Sequence, residues 1–130
     1  MIKSFIISFF LSLLFITNSF SAGSSDSGSS KTRTQYDMAV THINAAKKLE
    51  DQNNLKKAKK RFEKAKKLLI SSNEKFPNSA NTLNYLGFTS RKLGDFENGE
   101  KYYLQGLALD PNHIGINEYL GELYVATNRH

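Results

Sequence analysis

The chain has 130 residues, 39% of them hydrophobic, and a formal net charge of +6, which bounds it to one small domain plus any targeting segment. It contains no cysteine, so a disulfide framework, a thiolate metal site, a cysteine nucleophile and a lipid-modified N-terminal cysteine are all excluded. The charge is polarised: residues 31–75 hold 13 Lys/Arg against 5 Asp/Glu, whereas residues 76–130 hold 4 against 6.

In chain order, Lys3 and the apolar run FIISFFLSLLFI at residues 5–16 come first. Ser19 and Ser21 then put small residues at −3 and −1 of a cut before Ala22. This three-part pattern predicts a secretory signal peptide over residues 1–22. The run is short of the roughly 20 residues that a membrane span needs. The mature chain is therefore expected to be periplasmic or secreted, with an uncleaved anchor at residues 5–20 as the alternative. Residues 23–33 contain the tract GSSDSGSS, which has nothing to bury and reads as a flexible linker.

From residue 34 to 130 the patterning is helical. Tyr36 to Asp51 carries Ala39, Val40, Ile43, Ala46 and Leu49 on one side of a helix, and Gln52-Asn53-Asn54 forms a turn. Leu55, Ala58, Phe62, Ala65 and Leu69 step by alternating threes and fours, a narrow apolar stripe on a second helix that runs to about Lys75. After Pro77, Asn78 or Ser79 is placed to cap a third helix containing Leu83, Leu86 and Phe88. Gly94 suits its left-handed exit, and Asp95 can cap a fourth helix at once. There Phe96, Tyr103, Leu107 and Leu109 are the apolar contacts, and Asp110-Pro111 ends it. A fifth helix spans His113 to Asn128, with Ile114, Ile116, Tyr119, Leu123 and Val125 as its apolar residues. The prediction is all-α: antiparallel helical hairpins stacked as a short solenoid of about two and a half repeats and five helices.

The repeat is visible in the residues themselves. Tyr85-Leu86-Gly87 recurs as Tyr119-Leu120-Gly121, and Pro77-Asn78 as Pro111-Asn112, all at a period of 34. The segment LGFTSRKLGDFENGEKYYLQGLALDP, residues 86–111, resembles the tetratricopeptide repeat family. In that family's frame Leu86 and Gly87 fill the Leu-Gly pair of the first helix. Tyr103 fills the aromatic position of the second, and Pro111 the closing proline. Ala58, Phe62 and Ala65 match the small-aromatic-small trio of the preceding unit. Ser90 stands where an aromatic is usual, and Gly99 and Gly106 where alanines are usual. A helix-interior glycine costs about 1 kcal/mol against alanine, so these two are expected to soften the repeat. The last helix lacks a second helix to pair with, so its apolar side is expected to support self-association, with Leu123→Glu as the disrupting change.

Chemistry is sparse. His42, His113 and His130 lie on different elements with no carboxylate at ligand spacing, and no nucleophile, base and orienting group converge. The glycines follow the repeat rather than a phosphate loop. Neither a catalytic or metal site nor a cofactor is expected. Two binding surfaces remain. The resemblance implies a groove lined by successive first helices, carrying over to Lys47, Asn81, Asn84, Phe88, Arg91, Lys92, Glu118 and Glu122 as positions facing a protein or peptide ligand. Asn84, Phe88 and Arg91 share one helix face. The competing reading has Arg91 pairing with Glu122 while Phe88 is packed between helices. The other surface is KKAKKRFEKAKK at residues 56–67, eight basic residues against one Glu, where Lys56, Lys57, Lys59, Lys60, Arg61 and Lys64 form a basic patch. It serves either as a solvated face, with Glu63 pairing to Lys59 and Lys67, or as a docking face for an anionic surface. Nucleic acid is disfavoured by the export signal and by the lack of aromatics on that face.

Overall fold

The computed structural model of the protein describes residues 34–129. The expected signal peptide at 1–22, the linker at 23–33 and His130 lie outside the described residues. Five helices follow in order: α1 (Gln35–Asp51), α2 (Leu55–Lys75), α3 (Ala80–Lys92), α4 (Phe96–Leu109) and α5 (Ile114–Ala126). No strand occurs among the described residues.

The boundaries have local causes. Thr34 and Asp37 form a reciprocal capping box, the Thr34 hydroxyl accepting the Asp37 N–H and the Asp37 carboxylate accepting the Thr34 N–H, each at 3.1 Å. Between the two candidates after Pro77, the cap is Ser79, whose hydroxyl accepts the Thr82 N–H at 3.3 Å. Asn78 instead takes the left-handed conformation, with φ 65°. Gly94 closes α3 with φ 83°, and the Asp95 N–H turns back to the Ser90 carbonyl at 2.9 Å. Asp95 then caps α4 by accepting the Asn98 N–H at 3.3 Å. Hydrogen bonding from Asn98, aided by Lys66 at 3.3 Å, holds the Asp95 carboxyl below its ordinary range.

α1 pairs with α2 and α3 with α4 as hairpins; α2 packs on α3, and α5 closes the row against α4 and α3. The stripe of α2 lands in the core as its spacing predicts, with Ala58, Phe62, Ala65 and Leu69 all buried against Ala39, Ile43 and Ala46 of α1. Alanines alternate with large residues there, which lets the two helix backbones approach closely. Leu55 departs from the stripe: it opens the helix and stays 60% exposed. Phe96 and Leu109 likewise sit at the two ends of α4 and remain partly exposed rather than buried.

The glycines correct the expectation of a soft repeat. A β-carbon on Gly87 would overlap the ring of Tyr103, which is fully buried across from it on α4. On Gly106 it would overlap the Ile116 δ-methyl and lie 3.4 Å from the Leu83 β-carbon. On Gly99 it would meet the Gly87 carbonyl oxygen at 3.3 Å and the Leu123 δ-methyl at 3.4 Å. These are seats for neighbouring helices. Gly121 is different, with nothing within 4 Å of an added β-carbon. Gly106→Ala is therefore expected to destabilise the domain by about 1 kcal/mol, since overpacking costs about 1–3 and helix propensity returns about 1. Gly121→Ala is expected to stabilise it by up to about 1 kcal/mol. Urea midpoints of the two variants check this: equal and positive shifts would remove the seat from the account of Gly106.

The last helix also differs from its expectation. Ile116 and Leu123 are fully buried and Leu120 nearly so, turned inward against Tyr103 and the small residues of α4. What α5 leaves open is Ile114 at 82% and Val125 at 64%, not the whole apolar set. Leu123 belongs to the core and is no probe of self-association.

Candidate functional site

Three helices from successive repeat units converge on one cleft. Lys47, Glu50 and Asp51 come from the C-terminal end of α1, Phe88, Arg91 and Lys92 from α3, and Tyr119 and Glu122 from α5, around a volume of about 360 Å³. Spacings of three and four put each helix's contributors on one face. At its base is an aromatic stack running across the helices: Phe62 meets Phe88 edge-on at 5.9 Å between centroids, and Phe88 meets Tyr119 at 4.9 Å.

Cations cover that stack. The Lys47 ammonium lies 4.8 Å from the Phe88 centroid and 5.9 Å from that of Tyr119. The Arg91 guanidinium is 5.6 and 5.7 Å from the same rings, and the Lys92 ammonium is 5.8 Å from Phe62 and Phe88. Two of the three are neutralised between helices. Arg91 pairs with Glu122 at 2.6 Å, joining α3 to α5, and Lys92 pairs with Glu50 at 2.8 Å, joining α3 to α1. Among the described residues Lys47 pairs with no carboxylate, which leaves its ammonium available to a ligand. Tyr103 lies beneath, its phenol pushed up by burial against a smaller opposing pull from Arg91.

Of the eight groove positions implied by the resemblance, the structure brings together Lys47, Phe88, Arg91, Lys92 and Glu122. It also decides between the two readings of Arg91 and Phe88 in favour of packing: Arg91 holds Glu122, and the Phe88 ring is only 2% exposed. Phe88 is therefore corrected from ligand contact to floor. Asn84 is buried at 7% exposure, with its side chain against Gly115, so it too faces a neighbouring helix rather than a ligand. Asn81 Oδ1 lies 2.9 Å from His113 Nε2, while His113 Nδ1 accepts the Ile116 N–H at 3.2 Å. The second bond places the histidine proton on Nε2, making Asn81 Oδ1 the acceptor. Glu118 is exposed on α5 outside the cleft. Sequence reasoning missed Glu50, Asp51 and Tyr119. The repeat itself signalled Tyr119, and Glu50 and Asp51 lie three and four residues beyond Lys47.

The basic patch divides between two sides of α2. Lys57, Lys60, Arg61 and Lys64 rim a cleft of about 280 Å³ with Leu49 of α1. Lys59 borders a separate one of about 430 Å³ toward α3, beside Leu55, Phe62 and Lys92. Lys56 is exposed at the helix start. Arg61 donates to His42 Nδ1 at 3.0 Å, and the imidazole is held below its ordinary range by burial first, then by Arg61 and Lys64. The expected pairing of Glu63 with Lys59 and Lys67 is not made. Among the described residues no cluster of His, Asp and Glu is arranged to hold a metal ion.

The family model described as tetratricopeptide repeat matches residues 80–113, the span of α3, α4 and the turn into α5. None of the curated proteins compared matches the chain. The all-helical fold, with its 34-residue period, is that of a short tetratricopeptide-like solenoid.

Proposed function

We propose that this chain is an exported scaffold without enzymatic activity, which binds a protein or peptide of the cell envelope in the cleft between α1, α3 and α5. The observation that carries this reading is the Lys47 ammonium, held over two aromatic rings with no carboxylate partner among the described residues. An extended peptide laid across the three helices would offer it a carboxylate or a backbone carbonyl. Tyr119, partly buried, would supply the apolar contact that fully packed Phe88 does not. A tetratricopeptide match supports a binding surface rather than a catalytic one.

The test is capture from an envelope extract with the wild-type chain and with Lys47→Ala. A hydrogen bond to a charged group contributes about 1.5–3 kcal/mol, so affinity for the main captured partner should fall at least about tenfold. Thermal stability should change little, since Lys47 anchors no other helix by an ion pair. The chain recovered from the envelope fraction should also have the mass of a product beginning at Ala22 or Gly23. Undiminished capture by Lys47→Ala would remove the cleft from the account. A recovered chain that retains residues 1–21 would replace the free exported form with an anchored one.

A further inference from the structure

The cleft leaves the most charged element of the molecule unused. α2 has eight basic residues between positions 56 and 67 against Glu63 alone. Folding does not neutralise them: among the described residues Lys66 pairs with Asp95, whereas Lys56, Lys57, Lys59, Lys60, Lys64 and Lys67 pair with no carboxylate. Outside this segment Arg91, Lys92 and Arg129 each stand opposite an acid. Like charges crowded along one helix repel, so the face has an unmet demand for anions.

Apolar side chains accompany the cations. Leu55 is 60% exposed and Ile70 38%, about four turns apart on the side of α2 that also carries Lys59 and Lys67. Phe76, just beyond the helix end, is 70% exposed. A cationic helix face edged by exposed leucine, isoleucine and phenylalanine is the chemistry of a helix lying in the interface of an anionic bilayer. The lysines meet headgroup phosphates while the apolar residues enter the acyl boundary. A nucleic acid would ask for aromatic platforms on the basic face, and the α2 aromatic, Phe62, is buried at 1% exposure.

We propose that the outer face of α2 docks the domain on an anionic lipid bilayer, through Lys56, Lys59, Lys60 and Lys67 with Leu55 and Ile70 at the edge. None of these residues belongs to the cleft between α1, α3 and α5, so the two surfaces can be occupied together. The domain would then present its cleft to a partner at a membrane surface.

The experiment is sedimentation of the full chain with vesicles of phosphatidylcholine mixed with phosphatidylglycerol, and with vesicles of phosphatidylcholine alone. The α2 variant carries Lys56→Gln, Lys60→Gln and Lys67→Gln. A charge-matched control carries Lys48→Gln, Lys101→Gln and Arg129→Gln. All chains keep the same apolar N-terminal segment, so differences between them report the basic residues. A lysine near an anionic surface contributes about 1 kcal/mol, or roughly fivefold, so the α2 variant should bind the mixed vesicles on the order of 100-fold more weakly. The control should lose much less, and the lysine-dependent binding should vanish at about 1 M salt, where screening acts over roughly 3 Å. Unfolding curves that match the wild type show that the variants are folded. Equal losses in the two triple variants, or equal wild-type binding to both vesicle types, would overturn the proposal. So would wild-type binding to a single-stranded oligonucleotide without binding to the anionic vesicles.

Discussion

Phe88→Ala is expected to lower the stability of the domain by about 3–5 kcal/mol, the range for removing a buried aromatic. The ring is 2% exposed and touches three helices' worth of partners: Phe62 of α2 in a T-shaped pair, Tyr119 of α5 in a tilted one, and the ammonium groups of Lys47 and Lys92 over it. Its loss opens a cavity where ring packing joins α2, α3 and α5 and ion pairs tie α3 to α1 and α5. In a domain of about 100 residues each kcal/mol moves the melting temperature by about 4–8 °C, so the shift should exceed about 12 °C. Thermal melts followed by circular dichroism measure it. A loss under about 1 kcal/mol would mean that the ring is not held by packing, and would return Phe88 to the list of ligand contacts.

Leu123→Glu should be at least as damaging, and for a different reason. The side chain is fully buried against the small residues of α4, with its δ-methyl 3.4 Å from the position a Gly99 β-carbon would take. Loss of a buried leucine costs about 2–5 kcal/mol before any charge is considered. The new carboxylate must then be buried without a partner or stay protonated, which raises its pKa in the folded state. A carboxyl raised in this way stabilises the fold fully below its unfolded value near 4.3, and that contribution is lost as pH rises through the folded value. The variant should therefore be most nearly folded in mild acid and least so at neutral pH, a trend read from urea midpoints at several pH values. A variant as stable as the wild type that altered only sedimentation would place Leu123 on the surface and restore it as a self-association probe.

The parts of the molecule that a single helix encodes could be read from its residues. The 34-residue period, the α2 stripe, the left-handed Gly94 and the Asp95 cap each depend on spacing or on one residue's backbone preference. What could not be read is what each face meets. Gly106 and Gly121 look alike as helix-interior glycines, yet Gly106 receives Ile116 and Gly121 receives nothing, a difference made by the helix opposite. The same limit applies at the cleft. Phe88 and Arg91 share a face with suitable ligand chemistry, but Tyr119 and Glu122 of α5 reach them first. Lys47 remained available because Glu50, on its own helix, turns to Lys92 instead.

The position of α5 has a thermodynamic consequence. Among the described residues α3 packs against α2, α4 and α5, whereas α5 packs against α4 and α3 alone, with nothing near Gly121. Helices with few neighbours open at lower free energy than the global unfolding of a domain. Tyr119 and Glu122 are on that helix, so part of the cleft exists only while α5 is docked. A ligand that spans α1, α3 and α5 would bind the docked form and not the opened one, and would draw the equilibrium toward docking by RT ln(1 + [L]/Kd). Occupancy of the cleft and the closing of the terminal helix would then be one linked event, in which any change that frees α5 lowers apparent affinity without touching a ligand contact.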